Sequence, residues 1–529
     1  MNINQAPPSK AELETVINRL KRGKSSNDIP ALYLKMALES SDFMNEMVKL
    51  YATIWETHVI PKAWGHSKLV TLWKGSAKGN ADNPEAYRAL QIGSSMCKLL
   101  VVVIIERIKK WYDNQLQDQQ QGFRAGRGTT DAIYTIKRVH QITNNMKTPT
   151  YLLFIDLTAA FDRVKRPWLF TSILQRLSND EDREIFKLLK SLYSCTTTAL
   201  AENPDDFFDI EIGVRQGGPE SPLLFNLFID YVMRVFLHSC SLSGIRFLNL
   251  KHRIPAEASQ TKRETVGFHV FDWIGYADDL VLMFNNISDT QNALNLLDET
   301  FCRFKLEINT SKTKTMILNF DCANTEYPKN IVNLRGIQIA NVKEFVYLGS
   351  KIKFDEPTTG NAEVELRIDL GEKKFYEMAK NLLNYKISLS TRVQLLNVLV
   401  RSRLTYSCQT WSLSKAQIQR LSSVYCSMLR KMIKGGYRRV PDTWRYVLSN
   451  NDVLSICKTE GLLEFVARQQ RNFAAHVIRM DNSSTAKRAM FNCNHRSKRG
   501  KKISLMQSVC DSERCSVKKF AENALNRIY

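Results

Sequence analysis

Residues 270–284 read VFDWIGYADDLVLMF, and Asp278 and Asp279 separate two largely apolar stretches there. Charged side chains are seldom buried unless paired or bound to a metal. Two adjacent carboxylates in a pattern of packed strands therefore need a reason. On this segment alone two readings stand: the polar turn of a hairpin, or a cation site. A second stretch, TYLLFIDLTAAFD at 150–162, bears on the choice. It reads as a buried strand from Tyr151 to Ile155 that delivers Asp156 at its end. If the two segments are neighbouring strands, three carboxylates converge at one end of a sheet. They would repel and raise one another's pKa. Divalent cations remove that cost, and oxygen-rich carboxylate sites suit Mg²⁺. Two such ions activate an attacking hydroxyl and stabilise the leaving phosphate oxygens.

The chain has 529 residues, enough for two to four domains and a large core. Its hydrophobic share of 44% and charged share of 24% are those of a globular protein. The balance of 75 Lys+Arg against 53 Asp+Glu gives a formal charge of +22, which points to a polyanionic partner, foremost nucleic acid. Eleven cysteines without a regular framework suggest reduced thiols in an intracellular compartment. MNINQAPPSKAELE lacks the pattern of a secretion signal. The longest apolar run, LLVVVII at 99–105, is far too short to span a membrane, and reads as a helix face or a strand.

Elsewhere, Ser9 with Glu12 predicts a capped amphipathic helix, and helical patterns cover 30–56, 93–116, 166–194 and 289–304. SKLVTLWKG at 67–75, LEINTSKTKTMIL at 306–318 and EFVYLGSKI at 344–352 are strand-like. QQQGFRAGRGTTDAIYTIKRVHQI at 119–142 begins as a Gly- and Arg-rich loop and turns helical after Thr129. Beyond about residue 360 the long patterns are helical and basic, and the tail beyond 481 is polar.

Taken in order, KLVTLWKG…NPEAYRAL, QQGFRAGRGTTDAI, FIDLTAAFD, VRQGGPESPLLFNLFIDYV, YADD, LEINTSKTKTM and FVYLGS resemble the reverse transcriptase domain of non-LTR (LINE-type) retrotransposons. LLEFVARQQRNFAAHVIRM at 462–480 looks like the thumb and C-terminal region of the same proteins. The resemblance implies an α+β right-hand polymerase fold. A short extension at 1–14 is followed by fingers and palm with an antiparallel sheet over 15–355, a helical thumb over 356–480, and a basic tail over 481–529. It implies an RNA-directed DNA polymerase extending a primer 3′-hydroxyl with dNTPs on an RNA template. The rival reading is a catalytically silent scaffold that binds RNA. The expected partners are template RNA, a DNA primer or RNA/DNA hybrid, and dNTPs, with no membrane. The expected cofactor is a pair of Mg²⁺ ions, with Mn²⁺ as a substitute.

Carried onto this chain, the family's metal-binding triad is Asp156, Asp278 and Asp279, with the Leu157 carbonyl as an additional donor and Asp278 the more direct ligand of the adjacent pair. Phe161 matches the gate under the sugar of the incoming nucleotide, where a ring would clash with a 2′-hydroxyl. Asp162 reads as structural or capping. Arg88 matches the guanidinium fork that clamps the triphosphate, with Lys74 as the second cation. Gln216 and Gly217 match the nucleotide-holding loop, although Gly218 and Glu220 depart from the usual residues there. Lys312 stabilises the site or protonates the departing pyrophosphate. Tyr347, Leu348 and Gly349 resemble the primer grip, and Gly122, Arg124 and Arg127 lie in a loop expected to touch the template backbone.

An endonuclease ahead of the polymerase is not expected, because the first helical pattern begins near residue 9. Cys493, His495, Cys510 and Cys515 are spaced unlike a zinc knuckle, so unpaired cysteines are expected. The basic run from Arg496 to Lys502 reads equally as a nuclear import signal or a nucleic-acid contact, and the expected location is the nucleus or the cytoplasm.

Overall fold

The computed structural model describes every residue except 1–2, 22–27, 76–79, 178–182, 195, 241–243, 251–264, 324, 358–359, 435, 437, 439–445, 492–504 and 527–529. Its centre is a four-stranded sheet in the order Lys314–Leu318, Thr150–Ile155, Asp279–Phe284, Trp273–Tyr276, with every neighbour antiparallel. Alternation along the strands explains the two layers around it. Leu153, Ile155, Leu280 and Leu282 point into one core, and Leu152, Phe154, Val281 and Met283 into another.

The first core is closed by the helices Ser95–Gln115, Ser221–Ser239 and Ile287–Arg303. The run 99–105, open between helix and strand in the sequence, lies inside Ser95–Gln115, whose Ser94 side chain caps it by accepting from the Cys97 N–H. Burial of Leu99, Leu100, Val101, Val103 and Ile104 overrides the weak helix propensity of the β-branched residues. The second core is closed by Thr129–Met146 and by C-terminal helices including Leu462–Arg479, Thr485–Phe491 and Val517–Leu525. Those last elements were expected as a polar tail, yet Phe520 and Ala521 are fully buried. A third core joins helices of 361–466, beginning with Asn361–Glu377.

A second four-stranded sheet runs Tyr87–Ile92, His66–Trp73, Thr197–Leu200, Asn203–Asp209. The last two strands were not anticipated: Thr197–Leu200 is only four residues long, and NPDDFFD carries a Pro and three acids. His66–Trp73 pairs parallel with Thr197–Leu200 and antiparallel with Tyr87–Ile92, which carries Arg88. At the N-terminus the capping box of Ser9 and Glu12 forms as expected.

The loop before Thr129–Met146 is tied to the helix Ser221–Ser239 through Asp230, whose side chain is fully buried. Asp230 accepts from the Gln117 backbone N–H at 2.8 Å and pairs with Arg176 at 2.9 Å and Arg234 at 2.8 Å. Removing one partner of a buried pair leaves an uncompensated charge, at a cost of about 3–5 kcal/mol. Asp230→Ala should therefore lower the thermal unfolding midpoint markedly; an unchanged midpoint would contradict this account of the loop.

Candidate active site

The hairpin reading of the YADD segment is correct. Tyr276 pairs with Asp279 across a loop of Ala277 and Asp278. Ala277 is held in the left-handed region at φ 56°, which is costly for a residue with a Cβ. Ile155 pairs with Leu280, so the chain leaves Thr150–Ile155 at Asp156 beside the end of the hairpin where the paired acids lie. Burial raises the Asp278 carboxyl above its ordinary 3.8 and the Asp156 charge raises it further, while a hydrogen bond from its own backbone and the Arg88 charge oppose them. Asp278 thus stands in the fields of Asp156 and Arg88. Asp279 is more exposed, and its charge is felt by the buried Tyr347 hydroxyl, which burial in the first place and Asp279 in the second push well above its usual range.

Asp156 is laced to the 307–313 segment. Its N–H donates to Thr313 Oγ1 at 3.3 Å, its carbonyl accepts from Asn309 N–H at 2.9 Å, and Leu157 bridges Ile308. Lys312 Nζ stands 3.7 Å from Asp156 Oδ2, although the lysine is largely exposed and the attraction is correspondingly screened. The donor chemistry fits a hard divalent cation: two carboxylates within each other's field, one of them desolvated, form a charge arrangement that such an ion relieves. Among the described residues, no group of three or more His, Cys, Asp or Glu side chains forms a ready-made metal-binding cluster.

Across the cleft, Gln216 holds two elements together. Its carbonyl accepts from Gln91 N–H at 2.7 Å, and its Nε2 donates to both Asp162 oxygens at 2.9 Å. Gly217 has φ +115°, and a Cβ there would meet Gln91 O at 2.8 Å, so only glycine fits. Partial desolvation raises the Asp162 carboxyl, while Gln216 and the Lys74 charge lower it. Phe161 stacks on Phe225 with ring centroids 4.3 Å apart and planes 11° apart. The two unusual residues of this loop explain each other. Glu220 is buried and accepts from Tyr193 Oη at 2.9 Å, and a side chain at Gly218 would collide with the Glu220 carboxylate at 2.6 Å.

The third side of the site is the hairpin Glu344–Tyr347 with Ser350–Lys353. Its loop residues Leu348 and Gly349 both have positive φ, 46° and 80°, as a type I′ turn demands. Tyr406 Oη donates to Leu348 O at 2.8 Å, and Arg367 donates to Gly349 O. Arg367 is itself paired with buried Glu363 at 3.1 Å, and Glu363 accepts from Lys351 N–H. The sequence reading missed Glu363, Arg367 and Tyr406; the only signal was an acid and a base at i,i+4 spacing on the buried face of Asn361–Glu377.

The loop expected to touch template is placed differently from that expectation. Arg124 is buried, pairs with Asp113 at 2.7 Å and donates to the carbonyls of Asp113, Gln117 and Gln120. Its guanidinium satisfies loop carbonyls and does not face outward. Arg127 pairs with Asp118 at 2.6 Å. Gly122 lies against the YADD turn, where a Cβ would meet Ala277 N at 2.6 Å. Cys510 and Cys515 are adjacent, with Cys515 N–H donating to Cys510 O at 3.1 Å. Cys493, His495 and the run from Arg496 to Lys502 lie outside the described residues.

Acids lie at one end of this sheet in the field of Arg88, and residues 76–352 match the family described as reverse transcriptase (RNA-dependent DNA polymerase). The chain belongs to that family, and it is similar to polymerases of non-LTR retrotransposons. The RNA-directed DNA polymerase from the mobile element jockey of Drosophila funebris is 21% identical over 80% of this chain and 44% of its own length. A transposon-derived protein of Caenorhabditis elegans is 26% identical over 39% of this chain and 70% of its own. The retrotransposable element R2 polyprotein of Popillia japonica is 26% identical over 43% of this chain and 28% of its own. The chain thus spans under half the length of the jockey and R2 proteins. A truncated apo telomerase from Candida tropicalis overlaps with a TM-score of 0.37 at 12% identity, covering 59% of each chain. Membership supports a nucleotidyl-transferring polymerase chemistry in general, and the family typically uses divalent metal ions. Among the described residues, no helix is long and apolar enough to cross a membrane.

The Asp278 shift sets a pH dependence. Because the folded carboxyl binds its proton more tightly than the unfolded one, stability falls as pH rises from near 3.8 through the raised value. Without metal at neutral pH, Asp278→Asn should therefore melt at higher temperature than wild type. The difference should vanish at a pH below 3.8; melting curves that coincide at neutral pH would contradict the burial of this charge.

Proposed function

We propose that the chain is an RNA-directed DNA polymerase that joins dNTPs to a primer 3′-hydroxyl on an RNA template. The observation that carries the reading is the meeting of Asp156 and Asp278 at a sheet end in the field of Arg88. The fingers and palm lie over 15–355 and the helical thumb over 356–480, and the helices Thr485–Phe491 and Val517–Leu525 of the 481–529 tail pack against the second core of the central sheet.

Asp156 and Asp278 would hold the divalent cations, with Asp279 and the Leu157 carbonyl as weaker donors. Bound there, the ions would supply charge neutralisation at the α-phosphate and acidify the primer hydroxyl. The protein's part is positioning and electrostatics. Arg88 and Lys74 draw in the triphosphate from the fingers side. Gln216 and Gly217 fix the distance between that side and the palm, and Asp162 orients the Gln216 amide. Phe161, immobilised on Phe225, closes the space a 2′-hydroxyl would occupy. Lys312 places its Nζ within reach of the Asp156 edge, where pyrophosphate would depart. The Tyr347–Gly349 turn, held by Arg367 and Tyr406, seats the primer end. Arg127 remains a template contact at the loop's edge, whereas Arg124 supports the loop from within.

The test is extension of oligo(dT) on poly(rA) with Mg²⁺ and dTTP. Wild type should extend, and a chain carrying Asp278→Ala and Asp279→Ala should bind the duplex without extending it. A wild type that binds and never extends would establish the scaffold reading, and extension surviving the double substitution would overturn the site. Phe161→Ala should lower discrimination against ribonucleotides by roughly 10- to 100-fold, measured as the ratio of dTTP to UTP incorporation efficiency.

A further inference from the structure

The left-handed residue that precedes Asp278 is held by one side chain from a distant segment. Gln120 is fully buried, and its amide meets both peptide groups of Ala277. Ala277 N–H donates to Gln120 Oε1 at 2.9 Å, and Gln120 Nε2 donates to Ala277 O at 3.3 Å. The same Oε1 accepts from Gly122 N–H at 3.0 Å, so the loop and the catalytic turn share one acceptor. Backbone bonds flank this clamp: Gln121 N–H to Gly275 O at 2.8 Å and Gly275 N–H to Gln119 O at 3.0 Å.

The loop is in turn anchored on its far side. Asn226 Nδ2 donates to Gly122 O at 2.6 Å, Gln121 Nε2 donates to Thr485 Oγ1 at 2.9 Å, and His476 Nε2 lies 2.9 Å from Gly126 O. The last two contacts come from C-terminal helices outside the 76–352 match. A non-glycine residue at positive φ persists only where its surroundings over-determine it. Here a buried amide with one donor and one acceptor reads the two peptide groups of that residue, and no packing force from an apolar side chain would fix their orientation.

We propose that Gln120 is a positioning residue for nucleotidyl transfer: its amide sets the Ala277 peptides and thereby the place at which the Asp278 carboxylate stands. This rests on Asp278 being the metal-holding acid. It also gives the C-terminal helices a part in catalysis, as the support on which the Gln120 loop sits.

The experiment is single-turnover incorporation of one dNTP on a defined RNA template with a DNA primer, using the full chain. Gln120→Leu removes both hydrogen bonds at similar volume. Gly122→Ala presses on Ala277 N from the other side and carries the same test if Gln120→Leu does not fold. Each should retain primer–template affinity and burst amplitude while the incorporation rate constant falls by about 100-fold, the scale of an ångström-sized misplacement. The half-saturating Mg²⁺ concentration should rise. A purely structural role would lower the amplitude, in proportion to the folded fraction, and leave the rate constant unchanged; that result overturns the proposal. Asp278→Ala runs in parallel. If it incorporates at the wild-type rate, the assignment of the site itself fails. If it is inactive while Gln120→Leu and Gly122→Ala keep the wild-type rate, only the role of Gln120 falls.

Discussion

Keeping Asp156 and Asp278 within each other's field at a partly desolvated sheet end is unfavourable for a protein without a bound cation. Burial and repulsion both favour the protonated form of Asp278, and a backbone hydrogen bond to its carboxylate together with the Arg88 charge works against them. A fold under selection for stability alone would remove one of these acids. What surrounds them is consistent with a site that accepts this cost because ligand binding reverses it. Lys312 and Arg88 approach from separate segments, and neither is sequestered in the core.

The remaining architecture turns that local cost into a defined geometry. Distant pieces of chain reach the site, and most are fixed by backbone hydrogen bonds from side chains rather than by apolar packing at the point of use. Gln120 holds the YADD turn, Thr313 holds Asp156, and Arg367 with Tyr406 holds the Leu348–Gly349 turn. Gln216 joins the Arg88 strand to Asp162. Cores on both faces of the sheet keep these partners from drifting, since close-packed interiors transmit displacement. The interior glycines serve the same end: Gly122 and Gly217 let backbones approach more closely than any side chain would allow.

Much of this was legible in the sequence, for physical reasons. The apolar runs flanking Asp156 and the YADD pair announced two buried strands, and the pairing of Ile155 with Leu280 makes them neighbours. Spacing could not show that adjacency. The run 99–105 was ambiguous because periodicity fails where every side is apolar, and tertiary burial settled it as helix. Asn203–Asp209 was hidden by acids and a proline that an edge strand tolerates. Arg124 sits in a Gly-rich loop, the setting of a phosphate contact, yet its donors go to the Gln117 and Gln120 carbonyls and to the carbonyl and carboxylate of Asp113 at the end of the preceding helix. Gln120 opens the QQGFRAGRGTTDAI motif, but nothing local shows its role, which lies in a turn far along the chain. Val517–Leu525 read as part of a polar tail because its buried stripe of Phe520, Ala521 and Ala524 is narrow, although Phe520 is fully enclosed.

The central claim is that Asp156 and Asp278 are the acids that gather metal for the reaction. Its most direct measurement is anomalous diffraction from Mn²⁺ in crystals of the chain with an RNA template, a chain-terminated DNA primer and the next dNTP. The account predicts Mn²⁺ bound by the Asp156 and Asp278 carboxylates and the nucleotide phosphates, with Arg88 on the triphosphate. Mn²⁺ held by other residues, or a nucleotide seated away from this sheet end, would contradict it.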